Sequence, residues 1–113
     1  MWSAHSSARG TLRDAITEYR MLGFKDGFSF VEARPRTGRT HQIRVHFKAL
    51  NHPVVADPLY APQSEKRMLG FKRLALHSKS IEFNLPGGKR ITVEAPYPAD
   101  FKNAIKKLGM KEV

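Results

Sequence analysis

Two arginines, two histidines, two threonines and a glutamine crowd the stretch Thr37-Gly38-Arg39-Thr40-His41-Gln42-Ile43-Arg44-Val45-His46-Phe47. Thr37-Gly38 reads as a turn. Thr40 is placed as a helix N-cap, its hydroxyl accepting an orphan amide hydrogen. Ile43, Phe47 and Leu50 then recur at the i, i+4, i+7 spacing of a buried helical stripe over 40–50. If Phe47 is a core residue, truncating it to alanine costs about 3–5 kcal/mol. Arg44 and Lys48, four residues apart, share a neighbouring face. A helix that begins beside a basic turn, with cations projecting from it, is suited to meet phosphate. Arg39, Thr40, His41 and Gln42 at its start, and Lys48 on its flank, are the candidates to contact phosphate or ribose. For Gln42 a local role, solvating the helix end, is as good a reading.

The histidines raise the question of metal. His41 and His46 are five apart, which puts them on different helical faces, with no acidic residue between them, and no cysteine assists them, His52 or His77. No metal site is expected. His77 reads better as a structural polar residue hydrogen-bonded at the edge of the core.

Twenty Lys and Arg against ten Asp and Glu give a formal charge of +10 over 113 residues. That excess favours a polyanionic partner, nucleic acid first and an acidic membrane surface second; surface solubilisation, or balance by the rest of a larger protein, would also produce it. With 41% apolar residues and eleven aromatics, the chain can bury the modest core of one domain. No run approaches the roughly 18 apolar residues of a membrane span. The absence of cysteine excludes disulfides, thiolate metal sites and cysteine nucleophiles. It permits an intracellular home; the cytoplasm is expected, with the mitochondrion as the alternative.

The elements that must position these residues follow in order. Residues 1–14 are expected to form a flexible segment, and 15–113 the domain. Residues 15–22 favour a strand, 23–27 a turn, and Phe28 to Ala33 a second strand; together they predict an antiparallel hairpin with the Phe28 and Phe30 face buried. The helix over 40–50 is stopped by Asn51 and Pro53. Residues 62–70 read as a surface loop or short helix. Leu74 to Phe83 reads as a strand broken near Ser78, turned at Pro86-Gly87-Gly88 into a last strand at Ile91-Thr92-Val93. Phe101, Ile105 and Leu108 give a final helix, opened by Pro98, its apolar stripe. The order strand, strand, helix, strand, strand, helix predicts an α+β fold with a mainly antiparallel sheet and two helices.

TGRTHQIRVH, followed by Asn51-His52-Pro53-Val54-Val55-Ala56-Asp57-Pro58-Leu59-Tyr60, then Arg73-Leu74-Ala75-Leu76-His77-Ser78 and Ala95-Pro96-Tyr97-Pro98, resembles the RluA-type pseudouridine synthase family. The four motifs stand in family order from about Ala15 to Phe101. The resemblance implies conversion of uridine to pseudouridine in structured ribosomal or transfer RNA, without metal or organic cofactor. It implies that Arg44 lies in the active site, paired with the catalytic aspartate, a geometry a guanidinium can hold by two parallel hydrogen bonds. It also implies that the segment from Arg39 to Gln42 lines the RNA-binding cleft. Asn51, Ala56 and Ala61 stand where the family commonly has glycine, so a slightly different turn is expected there. Asp57 is expected to tie that loop, and Tyr60 to pack with its hydroxyl at the rim.

The family's nucleophile is an aspartate in an Arg-Leu-Asp-x-x-Thr-Ser-Gly-like motif upstream of the matched region. Asp14, Asp26, Asp57 and Asp100 lack those neighbours. The expectation is a C-terminal portion of the catalytic domain, inactive alone. The alternatives are a non-catalytic basic RNA-binding module, or a half-domain that assembles with an upstream half or a second copy through an exposed sheet edge and apolar face.

Overall fold

The computed structural model describes residues 2–9 and 12–113. Strands β2 (Leu12–Lys25) and β3 (Phe28–Pro35) form the expected antiparallel hairpin. Asp26 and Gly27 take left-handed φ values of 53° and 82°, the two-residue geometry whose twist matches that of paired strands. The turn is therefore shorter than the stretch 23–27, and β2 runs through Gly23 with a register shift between Met21 and Gly23. A Cβ on Gly23 would lie 3.0 Å from Met110 Sδ, so the bare backbone there lets the C-terminal segment lie close against the strand.

The segment expected to be flexible contains strand β1 (Ser3–Arg9), antiparallel to β2. Backbone pairing needs no alternating apolar pattern, so a serine-rich segment can complete a sheet without announcing itself in sequence. Trp2 anchors its start, its ring 4.2 Å from the Arg34 guanidinium and 4.8 Å from that of Arg20. Residues 1, 10 and 11 lie outside the described residues.

Helix α1 (Gln42–Ala49) packs on this three-stranded sheet. Its cap is His41, in left-handed conformation at φ 52°, and not Thr40. The expected stripe is also displaced. Gln42 and His46 are the buried positions of α1, while Ile43, Phe47 and Leu50 are half-buried. The helix stops where predicted: Asn51 has φ 63°, and the His52 and Asn51 amides donate to Phe47 O and Lys48 O at 2.9 Å each. This is a Schellman motif with asparagine in the left-handed position.

The stretch 62–70 contains the short helix α2 (Glu65–Met68), so the described residues form three helices where two were expected. The strand expected over 74–83 contracts to β4 (Ser80–Asn84), paired antiparallel with β5 (Arg90–Glu94) as the predicted second hairpin. Residues 74–77 are held out of the sheet because Arg73 Nη1 donates to Leu74 O and Leu76 O at 3.1 Å each, while the Ala75 amide donates to Val55 O at 2.9 Å. Arg73 also grips Asp100 with two bonds of 2.9 and 3.0 Å, tying this loop to helix α3 (Ala99–Lys107). Gly109, φ 68°, closes α3, with the Met110 amide donating to Ile105 O at 3.0 Å. Ala104 and Ile105 are its buried residues, Leu108 is buried at its C-cap, and Pro98 is its N-cap.

The core lies beneath α3. Ala56, Phe71 and Ala104 are buried together, with Val55, Met68, Leu69, Ala75 and Phe101 against them; Phe71 and Phe101 meet edge to face at 5.0 Å. His77 sits at the edge of this cluster, half-buried, 3.4 Å from Ala95 O and beside the Tyr97 and Phe101 rings. Among the described residues no helix is long and apolar enough to cross a membrane.

Candidate nucleic-acid interface

Gln42 joins the turn after β3 to the sheet. Its Nε2 donates to Ile16 O at 2.8 Å and to Thr17 Oγ1 at 3.0 Å. Its Oε1 accepts from Thr37 Oγ1 at 2.6 Å and from the Arg39 amide at 3.1 Å. Every hydrogen-bonding site of the side-chain amide is thereby used inside the protein. Thr37 accepts in turn from the Ile16 amide at 3.1 Å. The turn is thus pinned to β2 from two sides, and its solvent side presents Arg39, Thr40 and His41, all exposed.

Beneath Gln42, Thr17 Oγ1 lies 2.7 Å from His46 Nδ1. Thr17, Gln42 and His46 are all buried. A polar row at i and i+4 thus occupies the inward face of α1, because β2 offers it a hydroxyl and a carbonyl to bond. Unpaired, those groups would be costly to bury.

Between the turn and the loop before β4 lies a shallow cleft of about 230 Å³, lined by Thr37, Arg39, His41, Gln42, Arg44 and Leu76 among others. Leu76, distant in sequence, meets the stretch 35–44 there. Thr40 and Lys48 are exposed but lie outside the lining.

Arg44 is the best-held cation of the site. Its Nε donates to Asp57 Oδ2 at 2.9 Å and its Nη2 to Asp57 Oδ1 at 2.8 Å. The Asp57 side chain is 0% exposed and that of Arg44 14%. Asp57 Oδ1 also accepts from the Leu59 and Tyr60 amides at 2.9 and 3.3 Å, as an aspartate does in an Asx turn. The Arg44 guanidinium holds the Asp57 carboxyl below the usual carboxylate range, aided by those amides, against the opposing effect of burial. Reciprocally, the bond to Asp57 raises the guanidinium, so the pair is fully ionised at neutral pH. The Tyr60 ring lies 5.5 Å from the same guanidinium.

The loop carrying Asp57 enters left-handed backbone at residues other than glycine. Ala56 takes φ 62° and, with Asn51, adopts the left-handed conformation that glycine would enter freely. For Ala56 this conformation carries a cost in strain.

Sequence reasoning placed Arg44 in a site and Asp57 in a loop tie, but did not join them. The signal was present: a buried-type Asx turn followed by an apolar residue and an aromatic, thirteen residues after an arginine with no acid on its own helix. Gln42, named both as an RNA contact and as a local residue, is committed inward. Of the other aspartates, Asp100 is bound by Arg73 and Asp26 occupies the hairpin turn; the Asp14 side chain lies outside the described residues. Among the described residues no three or more His, Asp or Glu side chains converge as metal ligands.

Residues 3–49 match the family model described as RNA pseudouridylate synthase. The chain is 43% identical over 97 residues to an uncharacterized RNA pseudouridine synthase of Mycobacterium bovis, covering 83% of this chain and 31% of that one. It is 41% identical over 107 residues to the ribosomal large subunit pseudouridine synthase D of Xanthomonas campestris, covering 85% and 32%. To the synonymous protein of Zymomonas mobilis it is 36% identical over 109 residues, covering 91% and 34%. The chain thus spans about a third of the length of the curated relatives it matches.

Proposed function

The chain belongs to the RluA-type pseudouridine synthase family, and we propose that it supplies the C-terminal portion of such an enzyme's catalytic domain. In this reading the assembled enzyme isomerises uridine to pseudouridine in structured ribosomal or transfer RNA, and needs no metal or organic cofactor. This chain contributes one wall of the RNA cleft. Arg39, Thr40, His41 and Lys48 meet the phosphate backbone, Gln42 holds their turn in place, and Arg44 supports the reacting carboxylate. An RNA substrate puts the enzyme inside the cell, in the cytoplasm or, alternatively, the mitochondrion.

The observation that carries the reading is the convergence of Arg39, His41 and Arg44 on one cleft, within the segment that matches the family model. Focused positive charge in a concave wall raises the local concentration of a polyanion. A fixed guanidinium keeps a neighbouring carboxylate ionised, as an attacking or proton-abstracting group must be. Asp57 lacks the neighbours of the family's aspartate motif and is fully buried, so the nucleophile comes from an upstream portion and the chain alone is inactive.

A second reading draws on the β4–β5 hairpin. Ile81 and Val93 pair across it and are 55% and 48% exposed, with Phe83 at 42%. An apolar face of this kind fits a half-domain that docks on the upstream portion.

The test is pseudouridine formation by mass spectrometry, with ribosomal and transfer RNA, for the purified chain alone and assembled with an upstream portion bearing the aspartate motif. Product only on assembly is expected. Product from the chain alone would overturn its inactivity. RNA affinity without product on assembly would leave a binding module, and no RNA affinity at all would sink the reading.

A further inference from the structure

A guanidinium has five N–H donors in a planar fork, arranged as a side-on edge, Nε with Nη2, and an end-on edge, Nη1 with Nη2. In Arg44 the side-on edge is taken by Asp57, through Nε at 2.9 Å and Nη2 at 2.8 Å. Nη1 makes no hydrogen bond among the described residues, and Arg44 lines the cleft with 14% of its side chain exposed. Asp57 is itself rigid, being fully buried and fixed by the Leu59 and Tyr60 amides. The guanidinium is therefore clamped in orientation without being used up.

We infer that Asp57 is a positioning residue: it grips the side-on edge of Arg44 so that the end-on edge stays presented to a second oxyanion, a carboxylate or a phosphate oxygen, in the cleft. The inference rests on the proposed function for what that second oxyanion does, since the family reading puts a reacting carboxylate beside Arg44. It goes further in assigning Asp57 a part in the reaction. Asp57 touches no substrate; it acts through Arg44. The loop between α1 and α2 thereby sets the geometry of a cleft residue carried on α1, and preorganisation of this kind bears on turnover more than on RNA affinity.

Asp57→Asn separates the two jobs of the carboxylate. The asparagine Oδ1 can still accept the two backbone amides, whereas its Nδ2 faces the Arg44 donors and cannot replace the second bond. Nitrogen-15 NMR of the 113-residue chain reads the clamp directly. The Arg44 Nε–H is expected to exchange slowly in the wild type and at least about tenfold faster in Asp57→Asn. Inorganic phosphate added to the wild type should shift the Arg44 Nη signals while Nε–H stays protected. Loss of Nε–H protection on adding phosphate would mean that the two anions compete for one edge and would overturn the proposal, as would Nη signals that phosphate does not move. In the assembled enzyme, Asp57→Asn should lower kcat by roughly tenfold to a hundredfold with little change in KM; an unchanged kcat also overturns it. If the assembled wild type makes no pseudouridine, the functional reading fails, while the NMR experiments still decide whether Asp57 clamps Arg44.

Discussion

Thr17 Oγ1 and His46 Nδ1 lie 2.7 Å apart, both buried, and join the middle of β2 to the centre of α1. Because Gln42 Nε2 bonds the same hydroxyl at 3.0 Å, one threonine sets the seat of the helix and, through Gln42, the turn that carries Arg39. Thr17→Val removes the hydroxyl at nearly constant volume and leaves buried groups of Gln42 and His46 a partner short. It should cost about 1–3 kcal/mol, read from urea unfolding. Thr17→Ser, which keeps the hydroxyl and loses a methyl, should cost about 0.8 kcal/mol. A valine variant as stable as the wild type would show that the network carries no stability.

The apolar pattern of α1 pointed elsewhere, and the core shows the consequence. Phe47 is half-buried, with the Tyr19 ring 5.4 Å away edge-on, whereas Phe71 is 5% exposed within the cluster under α3. The large penalty expected for Phe47→Ala therefore belongs to Phe71→Ala, at about 3–5 kcal/mol, with Phe47→Ala below it. Denaturation midpoints of the two variants, compared directly, check the order.

Much of the fold was legible because it is written in local chemistry. The stretch 23–27 and Pro86-Gly87-Gly88 marked both hairpins, Asn51 ended α1 where its left-handed φ of 63° permits, and the spacing of Phe101, Ile105 and Leu108 located α3. What escaped was set by partners far along the chain. The inward face of α1 is Gln42 and His46 only because Thr17 stands opposite, and no periodicity of α1 itself reveals that. β1 escaped because antiparallel backbone pairing with β2 needs no alternating apolar pattern in the strand. In the site, Arg44 was legible by family pattern, while its bond to Asp57 depends on a loop whose path runs through left-handed Ala56.

The Arg44–Asp57 pair gives acid sensitivity of known sign. Asp57 has a folded pKa below its unfolded value, which is about 3.9, so its contribution is fully present above that value. It is lost as pH falls through the lower, folded value. Asp57→Asn should have a lower Tm than the wild type at pH 7, and the gap should close as pH drops below about 4. A gap that stays constant across that range would mean that the carboxylate charge adds nothing.

The exposed face of the β4–β5 hairpin gives a prediction about assembly. Phe83 is 42% exposed, beside the Ile81–Val93 pair, so Phe83→Glu removes little buried area from the chain itself. Its stability should change by no more than about 0.5 kcal/mol. If the upstream portion docks there, the same change should abolish co-sedimentation of the two portions, because a carboxylate would be buried without a partner. Assembly that survives the substitution would place the docking surface elsewhere.

Arg39 and Lys48 separate two ways in which this surface can meet RNA. Both are exposed cations in the matched segment, but only Arg39 lines the cleft. If the cleft wall and the flank of α1 both follow the phosphate backbone, each alanine substitution should weaken RNA binding and reduce the slope of log K against log salt by about 1. The two effects should add, since neither side chain makes an ion pair among the described residues and both stay hydrated at the surface. Filter binding across a range of salt concentrations reads both slopes. A loss for Arg39→Ala with no change for Lys48→Ala would confine the RNA to the cleft and remove the helix flank from its path.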